Sequence, residues 1–574
     1  MTFFATGNNS IDALVYSSWA SRPGTAVSLT YSFMTVAPSD GTADDVSGFL
    51  PMTSFQKQAV RTALDTWSAV ANVKFAEVSS GGDIQLGTNN QGSQSSGYAY
   101  LPNGSDPTYL FTNNADTFNT VFTPGTFGPA VLIHELGHTL GLKHPGNYDS
   151  TGGTIDGPFL PSATDNIDYS QMSYNTGAGY QLNHQYGITP MLYDIQAMQY
   201  LYGANMTYHA GSDSYDFVQS SPMQCIWDAG GSDTFNFSGC TDAVVINLNA
   251  GTFSSTAPGY NNISIAYNVT IEAAVAGSGG STIYANGSGD RITGGAGVDV
   301  IYEGAGNDTV FGVGSNDTVV FNGTLSKFSL SGTGAALTAV GDGTDSLFGV
   351  KNLQFGDITI DASTVTRFAS GGAGNDVLVA GTGNEVFTGG AGLDYVSFGG
   401  ARSNYSVIAS GGAYLVTDRS GAGGQDIVSG VERLTFADGR AVALDIGDHN
   451  PAGEAYRLYQ AAFNRLPDQE GLGFWIRALD AGFGFYDVAQ NFLISSEFAK
   501  TYGTNLSDQQ FVELLYHNIL HRDPDAGGEA YYLHALSIGA TRAVVLGSIS
   551  ESPENQLGVV GQITNGIDYK VYTG

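Results

Sequence analysis

The stretch GGAGVDVIYEGAGNDTVF, residues 294 to 311, contains two consecutive copies of a nine-residue pattern. In each copy a glycine-rich segment leads to an aspartate, Asp299 or Asp308, and then to an aliphatic residue two positions later. The pattern predicts a tight turn followed by a short strand whose aliphatic side chain points into a stacked core. The carboxylates and turn carbonyls form a cage of hard oxygen ligands that suits Ca²⁺ and not zinc. A disordered Gly-Asp linker is the alternative, and the paired acidic and aliphatic columns argue against it.

The nine-residue period extends well beyond this stretch. It runs from residue 276 to residue 320 and returns over residues 371 to 397, with Glu385 in the acidic column of the second block. Each block is followed by a similar strand-rich segment, in which Phe355 and Phe436 correspond at an offset of 81 residues. The whole unit of repeats and strands is therefore predicted to be duplicated.

Composition narrows the classes of function. A chain of 574 residues is too long for one hydrophobic core and is predicted to be modular. Its 53 acidic and 20 basic residues give a formal charge of -33, which repels nucleic acid and anionic lipid and suits cation binding. The first residues lack the pattern of a secretory signal peptide, and no stretch reaches transmembrane length. The two cysteines, Cys225 and Cys240, either pair or are two buried thiols.

A second motif, HELGHTLGLKH at residues 134 to 144, carries the predicted chemistry. His134 and His138 are spaced to stand one helical turn apart on one face, preorganised as metal ligands. A glycine after the helix allows a tight turn, so that the chain returns and presents His144 as a third ligand. Glu135 then suits a general base acting on a water in the open fourth position. Three imidazoles predict zinc, and a helix with unrelated histidines is the alternative.

This extended motif resembles that of the metzincin metalloproteases, which also have a methionine-containing turn beneath the zinc. In DYSQMSYN, residues 168 to 175, Met172 corresponds to that structural methionine. The HPG continuation at His144 and the Met-Ser-Tyr sequence resemble the serralysin branch in particular. The resemblance implies one catalytic Zn²⁺ and implies that the phenolic oxygen of Tyr174 assists the metal or the transition state.

The segment WDAGGSDTFNFSG, residues 227 to 239, resembles the start of the serralysin β-roll domain. The resemblance implies several structural Ca²⁺ ions, whose first ligands are Asp213, Asp228, Gly230, Gly231, Asp233, Thr270 and Glu272. His209 stands where the family often has arginine, and only its carbonyl is expected to matter.

In such a β-roll each turn faces the turn two repeats later. Further expected ligands are therefore Asp290, Gly295, Gly297, Asp299, Asp308, Gly312, Gly314, Asp317, Gly372, Gly374, Asp376, Gly389 and Asp394. Ser281 places a hydroxyl in the first acidic position of the column, so the site that uses its turn is expected to be weak or empty. Without calcium the repulsion among these carboxylates opposes folding.

Helical sequence begins near residue 450. RLPDQEGLGFWIRAL (465 to 479) and RDPDAGGEAYYLHAL (522 to 536) match at an offset of 57 residues, and they resemble a helical domain of unknown function often appended to secreted bacterial RTX proteins. Trp475 and Tyr531 are expected in its core. Near the N-terminus, SFQKQAVRTALDTWSAVA predicts a helix with Ser54 as its cap.

The predicted fold is an α+β metzincin catalytic domain, followed by a parallel RTX β-roll and β-rich modules, and then a small all-α domain. The predicted boundaries are residues 1–215 for the zinc metalloprotease domain, 216–325 for the calcium-binding β-roll, 326–445 for the second RTX block with β-rich modules, and 446–574 for the two-copy helical domain.

The leading hypothesis is a secreted, extracellular zinc-dependent endopeptidase that hydrolyses protein or peptide substrates and whose RTX half folds with calcium. The RTX resemblance implies export by type I secretion machinery, and the appended helical domain leaves a cell-surface or inhibitor protein open as a further partner. No nucleic acid and no membrane span are expected. The alternative is a calcium-dependent cell-surface or matrix-binding RTX protein with an inactive protease domain.

Overall fold

The structure, a computed structural model, describes residues 5–104, 106–148, 157–314 and 316–574. Ser315, in the fifth repeat of the first block, lies outside these residues. The chain divides into two units, Met1–Val319 and Val320–Gly574. The four-part division that the sequence suggests is finer and stays a prediction.

A five-stranded sheet forms the first part of the first unit. Four of its strands run parallel, and a short antiparallel strand closes one edge. In spatial order the strands are Val73–Glu77, Val27–Phe33, Ile84–Asn89, Thr108–Asn113 and the edge strand Gly97–Ala99.

Three longer helices accompany this sheet. Helix Ser54–Val70 begins with a capping box in which Thr53 and Gln56 satisfy each other's backbone N–H groups. The cap is therefore Thr53, and the prediction of Ser54 was wrong by one residue. The remaining helical segments are Phe127–Thr139, Leu192–Tyr202, and the short Asn9–Asp12, Ala43–Val46, Thr117–Thr120 and Ala178–Gln181.

Short strands follow from residue 214, and successive nonapeptides alternate between two parallel ladders. One ladder has the order Ser214–Val218, Thr234–Gly239, Ala273–Val275, Arg291–Thr293 and Thr309–Phe311. The other contains Val244–Asn247, Ser281–Tyr284 and Val300–Tyr302. Additional strands are Gln224–Ile226, Phe253–Ser254, Ile263–Ile265 and Thr318–Val320.

The aliphatic column of the repeats fills the space between these ladders. Ile292, Ile301, Val310 and Val319 are each at most 1% exposed, as the period predicted. Because every ninth residue reaches the same apolar core, the turns that carry the aspartates are stacked in register.

The second unit begins with β-rich modules. Parallel pairing continues in the repeats, while the strands after each block form antiparallel hairpins. The strands are Ser329–Thr333, Ala336–Val340, Thr344–Phe348, Asn352–Gln354, Thr359–Asp361, Val365–Ser370, Val377–Val379, Asn384–Thr388, Tyr395–Phe398, Tyr405–Ser410, Ala413–Asp418, Gln425–Ser429, Arg433–Phe436 and Arg440–Ala443, with 3₁₀ turns at Leu325–Lys327, Ala362–Thr364 and Arg402–Asn404.

The C-terminal region is helical, as predicted, and adds one strand that was not predicted. Strand Ile567–Lys570 pairs antiparallel with Arg440–Ala443, so the end of the chain joins the preceding sheet. The helices are Pro451–Phe463, Gln469–Asp480, Phe485–Leu493, Ser496–Tyr502, Asp508–Leu515, the π-type Tyr516–Leu520, Ala526–Ser537, Arg542–Ser550 and Pro553–Ile563.

Two features of the described residues bear on the sequence-based expectations. None of their helices combines the length and the apolar character that crossing a membrane requires. Cys225 and Cys240 are both buried free thiols. Burial raises the pKa of the Cys225 thiol to about 12, which keeps it protonated and unreactive.

Candidate metal centre

Three imidazoles converge at the end of helix Phe127–Thr139. His134 and His138 lie one turn apart on this helix, with ring centroids 4.9 Å from each other. Gly141 adopts φ +106°, and the chain then returns so that His144 faces both. Nε2 of His144 lies 3.1 Å from Nε2 of His134 and 3.1 Å from Nε2 of His138. The three nitrogens therefore surround one point.

Backbone carbonyls orient two of these rings. Nδ1 of His134 lies 2.7 Å from the Gln171 carbonyl oxygen, and Nδ1 of His138 lies 2.8 Å from that of Leu142. Because a carbonyl only accepts hydrogen bonds, each Nδ1 carries the hydrogen, and each Nε2 presents a lone pair to the shared point. Facing lone pairs repel one another unless a cation lies between them, so the donor set fits a metal ion such as zinc.

Burial keeps the imidazoles neutral. It lowers the pKa of His134 to about 4 and that of His144 to about 3, and it lowers the pKa of His138 well below its usual range. A neutral imidazole is the form that binds a metal, so the fold prepares all three side chains as ligands at neutral pH.

Glu135 lies beside the triad without being part of it. Its side chain is 6% exposed, and its Oε2 atom is buried with no hydrogen-bond partner. Burial alone raises the pKa of this carboxyl to about 8. A Cβ atom on Gly97, in the edge strand, would lie 3.0 Å from Glu135 Cγ, so only glycine leaves this space to the carboxyl. A buried oxygen without a partner is costly, which indicates a ligand or water at this position when the site is loaded.

The methionine turn packs under the histidine helix. Met172 is fully buried, and a Cβ on Gly137 of that helix would lie 2.6 Å from its sulfur. Asp194 holds the turn, since its carboxylate accepts the N–H groups of Gln171 and Met191 and the hydroxyl of Ser170. The methionine turn also fixes the Gln171 carbonyl, which orients the His134 ring.

Tyr174 stands at the open side of the triad and is 52% exposed. Its ring centroid lies 4.5 Å from that of His144 and 5.8 Å from that of His134. The ring stacks on Tyr148 at 4.8 Å, and the Tyr148 hydroxyl donates to Asp165 at 2.8 Å. Sequence reasoning missed Tyr148, because nothing in its spacing indicates that it supports Tyr174.

Hydrogen bonds link the predicted calcium residues of the first unit to one another. The Asp213 N–H donates to Asp233 Oδ1 at 2.8 Å, and the Asp233 N–H donates to Glu272 Oε2 at 2.7 Å. Asp228 accepts the Gly230 N–H at 2.7 Å. Gly231 and Thr270 occupy the adjoining turns, and a Cβ on Gly231 would overlap the Gly211 carbonyl.

The side chain of His209 was not expected to take part in this region. It lies with Asp213 and Asp228 in a group whose candidate ligand atoms are all within 4.8 Å of one another, and its Nδ1 is 3.0 Å from Asp213 Oδ1. Only its backbone carbonyl was expected to matter. The spacing of four residues to Asp213 was the available signal.

Three aspartates of the nonapeptides each accept the backbone N–H of the acidic residue eighteen positions earlier. Asp308 accepts from Asp290 at 2.7 Å, Asp317 from Asp299 at 2.9 Å, and Asp394 from Asp376 at 2.8 Å. Turns two repeats apart are thereby brought together.

The second oxygen of these carboxylates often binds within its own turn. Gly295, Gly314 and Gly372 donate their N–H groups to Asp299, Asp317 and Asp376, at 2.6, 2.9 and 2.7 Å. Neighbouring turns approach so closely that a Cβ on Gly314 would overlap the Gly297 carbonyl. Gly312 begins a turn of the first block, and Gly389 begins a turn of the second.

Several carboxylate oxygens remain without a hydrogen-bond partner. Burial raises the pKa of Asp290 to about 7 and raises that of Asp299 and Asp308. Clustered buried carboxylates are stable as anions only beside cations, so the donor set fits calcium. The buried oxygens concerned are Asp233 Oδ2, Asp290 Oδ1, Asp299 Oδ1 and Asp394 Oδ2.

Comparison with known families agrees with this description. Residues 193–335 match the family described as Peptidase M10 serralysin C terminal. Residues 369–401 match the RTX calcium-binding nonapeptide repeat, and residues 489–558 match a domain of unknown function, DUF4214.

Curated relatives are similar to part of the chain. Metalloprotease AprA of Pseudomonas entomophila (strain L48) is 35% identical over 286 residues, 45% of this chain and 59% of that protein. Metallopeptidase AprA of Pseudomonas marginalis is 38% identical over 296 residues, 46% of this chain and 61% of that protein. Serralysin of Proteus mirabilis is 38% identical over 268 residues, 40% of this chain and 54% of that protein. The chain thus spans a little over half the length of the curated relatives it matches.

A chain of the extracellular lipase LipA from Serratia marcescens aligns with a TM-score of 0.16 and 12% identity, over 29% of this chain and 39% of that chain. The likeness is too weak to carry an argument.

The described residues combine a three-histidine centre with a β-roll of nonapeptide turns. The resemblance seen in the motifs is confirmed: the chain is homologous to the serralysins, carries their C-terminal region and RTX calcium-binding repeats, and ends in a DUF4214 domain.

Proposed function

We propose that this protein is a secreted zinc-dependent endopeptidase whose RTX half folds when calcium binds. The observation that carries the proposal is the convergence of His134, His138 and His144 beside the partnerless Oε2 of Glu135. The serralysin relatives support the same conclusion, and the alternative of a binding protein with an inactive protease domain is not favoured.

Each residue has a distinct role in this proposal. The three Nε2 atoms would hold a zinc ion, which would supply Lewis-acid chemistry at the scissile carbonyl. Glu135 takes a proton from the attacking water while the water oxygen bonds to the carbonyl carbon. It later gives that proton to the leaving amine as the C–N bond breaks. Tyr174, exposed at the mouth of the site, donates its phenolic hydrogen to the oxyanion. Met172 supports the histidine helix from below.

Calcium binding completes the proposal. The acidic column and its turn carbonyls hold several Ca²⁺ ions, with Asp213, Asp228, Asp233 and Glu272 forming the first sites. In calcium-poor cytosol the β-roll stays loose, and outside the cell it folds. Export by a type I system and protein or peptide substrates follow from the same proposal. The partner of the helical domain, a cell surface or an inhibitor protein, is left open.

The decisive experiment compares wild-type chain with Glu135→Gln in a casein-type assay containing Ca²⁺ and Zn²⁺. Loss of the general base is expected to lower kcat by about 10²- to 10⁴-fold. Zinc content, measured on both proteins, is expected to be equal because Glu135 is not a ligand. Equal activity of the two proteins, or no activity of the wild type on any protein tried, would overturn the proposal of an enzyme. Either result would favour a binding protein with an inactive protease domain.

Tyr174→Phe tests the second role. Removing the hydroxyl is expected to lower kcat by about 10²-fold with little change in KM, because the oxyanion forms only in the transition state. Tyr148→Phe is the control for the position of Tyr174, since it removes a hydroxyl that donates to Asp165 and accepts the Tyr174 N–H at 3.2 Å, and a smaller loss is expected. A larger loss in the control than in Tyr174→Phe would contradict the assignment.

A further inference from the structure

The last nonapeptide turn of the second block is continued by a segment that is not a nonapeptide. In the regular stack, a Cβ on Gly371 would overlap the Gly389 carbonyl and lie 2.9 Å from Asp376 Oδ2. One step further, a Cβ on Gly389 would overlap the Gly430 carbonyl and lie 2.8 Å from Asp394 Oδ2. The Gly430 carbonyl therefore takes the place of the next repeat, beyond residue 401 where the match to the repeat family ends.

Glu432 provides the carboxylate of this added turn. The Asp394 N–H donates to Glu432 Oε2 at 2.7 Å, and the N–H groups of Glu432 and Arg433 donate back to the Asp394 carbonyl at 3.2 and 3.0 Å. The acceptor role of Glu432 is the one that Asp394 itself plays toward Asp376. An acidic residue thus completes the column although it lies 38 positions downstream instead of 18.

The same contacts occur around Asp233 in the first unit. The Asp233 N–H donates to Glu272 Oε2 at 2.7 Å, and Glu272 and Ala273 donate to the Asp233 carbonyl at 3.2 and 2.9 Å. The two places share the geometry of an aspartate followed by a distant glutamate, which is a built arrangement and not a chance meeting of surface acids.

A buried oxygen without a partner points into the added turn. Asp394 is fully buried; its Oδ1 accepts the Asp376 N–H, and its Oδ2, beside the Gly430 carbonyl, has no hydrogen-bond partner. Two facing carboxylates and a carbonyl make a concentrated set of acceptors that needs a positive charge.

The nearest guanidinium is engaged elsewhere. Arg433 is fully buried and forms ion pairs with Asp445 and with Asp480, while its contact with Glu432 is to the backbone carbonyl. It therefore does not neutralise the Glu432 and Asp394 carboxylates. Oxygen ligands without a protein cation are the set that Ca²⁺ prefers.

We propose that Asp394 Oδ2, the Gly430 carbonyl and Glu432 bind a calcium ion at the end of the second RTX block. The site extends the column past its last nonapeptide, using residues outside the repeat pattern. It goes beyond the proposed peptidase and depends neither on zinc nor on proteolysis; it shares with that proposal only the premise that the RTX half binds calcium.

A neighbouring turn shows how the same backbone geometry is neutralised without an ion. The Glu385 N–H donates to Asp426 Oδ1 at 2.9 Å, which reproduces the contact of the proposed site. Here, however, Arg367 pairs with Glu385 at 2.7 Å, and neither carboxylate has a buried oxygen without a partner. The structure assigns a guanidinium to this turn and a calcium ion to the other.

This contrast supplies a matched pair of variants. The experiment counts Ca²⁺ ions bound per full-length chain by isothermal titration and metal analysis after dialysis. Glu432→Gln is expected to bind one ion fewer than wild type, whereas Asp426→Asn is expected to bind the wild-type number. An unchanged count in Glu432→Gln, with circular dichroism showing a folded chain, would overturn the proposed site.

A measurement on the wild-type chain keeps the test independent of variant folding. Crystals of the full chain grown with Ca²⁺ or Tb³⁺ are expected to show an anomalous peak between Asp394 Oδ2 and Glu432, and none beside Arg367. Absence of the first peak, with peaks present at the nonapeptide turns, would overturn this inference alone. Absence of every peak would instead contradict the calcium half of the proposed function.

Discussion

At Gly137, in the helix that carries His134 and His138, helix propensity and side-chain packing have opposite effects on stability, and the packing effect is the larger. Alanine is a better helix former than glycine by about 1 kcal/mol. A Cβ at Gly137, however, would lie 2.6 Å from Met172 Sδ and 3.3 Å from Trp67, and overpacking of a core costs about 1–3 kcal/mol.

Gly137→Ala is therefore expected to lower the thermal unfolding temperature and to weaken zinc binding, because it displaces the methionine turn. Gly561→Ala is the control, since a Cβ there meets nothing within 4 Å in helix Pro553–Ile563. That change is expected to stabilise the chain slightly. Calorimetry and zinc titration check both variants, and a stabilised Gly137→Ala would contradict the packing argument.

Asp194 tests the support of the methionine turn. Asp194→Ala leaves two backbone N–H groups without their acceptor and is expected to cost about 2–4 kcal/mol in the free energy of unfolding. Asp194→Asn keeps one acceptor oxygen and is expected to cost less. Urea unfolding in saturating calcium measures both, and equal losses would argue against the hydrogen bonds as the cause.

The Asp194 pKa also gives a sign for pH. Burial raises the pKa of Asp194 to about 6, so the folded chain holds the proton more tightly than the unfolded chain does. Its contribution to stability is complete below the unfolded pKa of about 4 and is lost as pH rises through about 6. Asparagine does not titrate, so Asp194→Asn is expected to remove this pH-dependent part of the free energy of unfolding between about pH 4 and 6.

Local spacing made part of the site predictable. His134 and His138 are four residues apart, and helical periodicity alone places them on one face. Tyr148 belongs to the opposite case, since its neighbours are selected by tertiary packing, whereas His209 had a local signal in its spacing to Asp213. The contact of Asp394 with Glu432 was beyond reach because Glu432 lies 38 positions downstream, after four strands whose pairing brings it back.

At the scale of elements, the duplicated helical region shows where sequence similarity stops predicting burial. Helix Gln469–Asp480 buries Leu472, Gly473, Ile476 and Leu479, and Trp475 packs partly buried against the same core. The matching helix Ala526–Ser537 fully buries none of its residues, and Tyr531 is 70% exposed. The expectation that Tyr531 lies in the core was therefore wrong.

The unpredicted last strand lies against the first of these helices. Strand Ile567–Lys570 lies so close to helix Gln469–Asp480 that a Cβ on Gly473 would overlap the Lys570 carbonyl. Pairing with Arg440–Ala443 holds the strand there. The two helices also differ in sequence, because the apolar residues of Gln469–Asp480 are concentrated on one face and those of Ala526–Ser537 are spread around the helix.

Equivalent substitutions in the two copies measure this difference. Ile476 is 1% exposed, and Ile476→Ala is expected to cost about 2–4 kcal/mol. Leu533, 57 positions later, is only half-buried, and Leu533→Ala is expected to cost about 1 kcal/mol. Urea unfolding followed by the helical circular-dichroism signal checks both. Equal costs would show that the second helix is as well packed as the first.

For the whole molecule, the period of nine predicted the β-roll, because each repeat fixes its own turn, strand and core position. The antiparallel hairpins between the blocks were predicted only as β-rich sequence, since register there depends on pairing between distant strands. The chain has 53 acidic and 20 basic residues, and several of the aspartates stack in columns with carboxylate oxygens that have no hydrogen-bond partner. We therefore expect the fold of the RTX half to depend on a cation that the chain does not supply.

Calcium removal is the prediction that follows for the full chain. In EGTA at neutral pH the stacked carboxylates repel each other across short distances in a partly desolvated column, so the strand signal in circular dichroism is expected to fall. The C-terminal helical signal is expected to persist, because that region has its own apolar core. Calcium is expected to restore the strand signal. Sodium chloride at matched ionic strength is expected not to restore it, because salt screens charges over a distance of about 8 Å but does not coordinate the carboxylate oxygens directly. Recovery in sodium chloride alone would reduce the role of calcium to general screening, and identical spectra with and without EGTA would mean that the column folds without an ion.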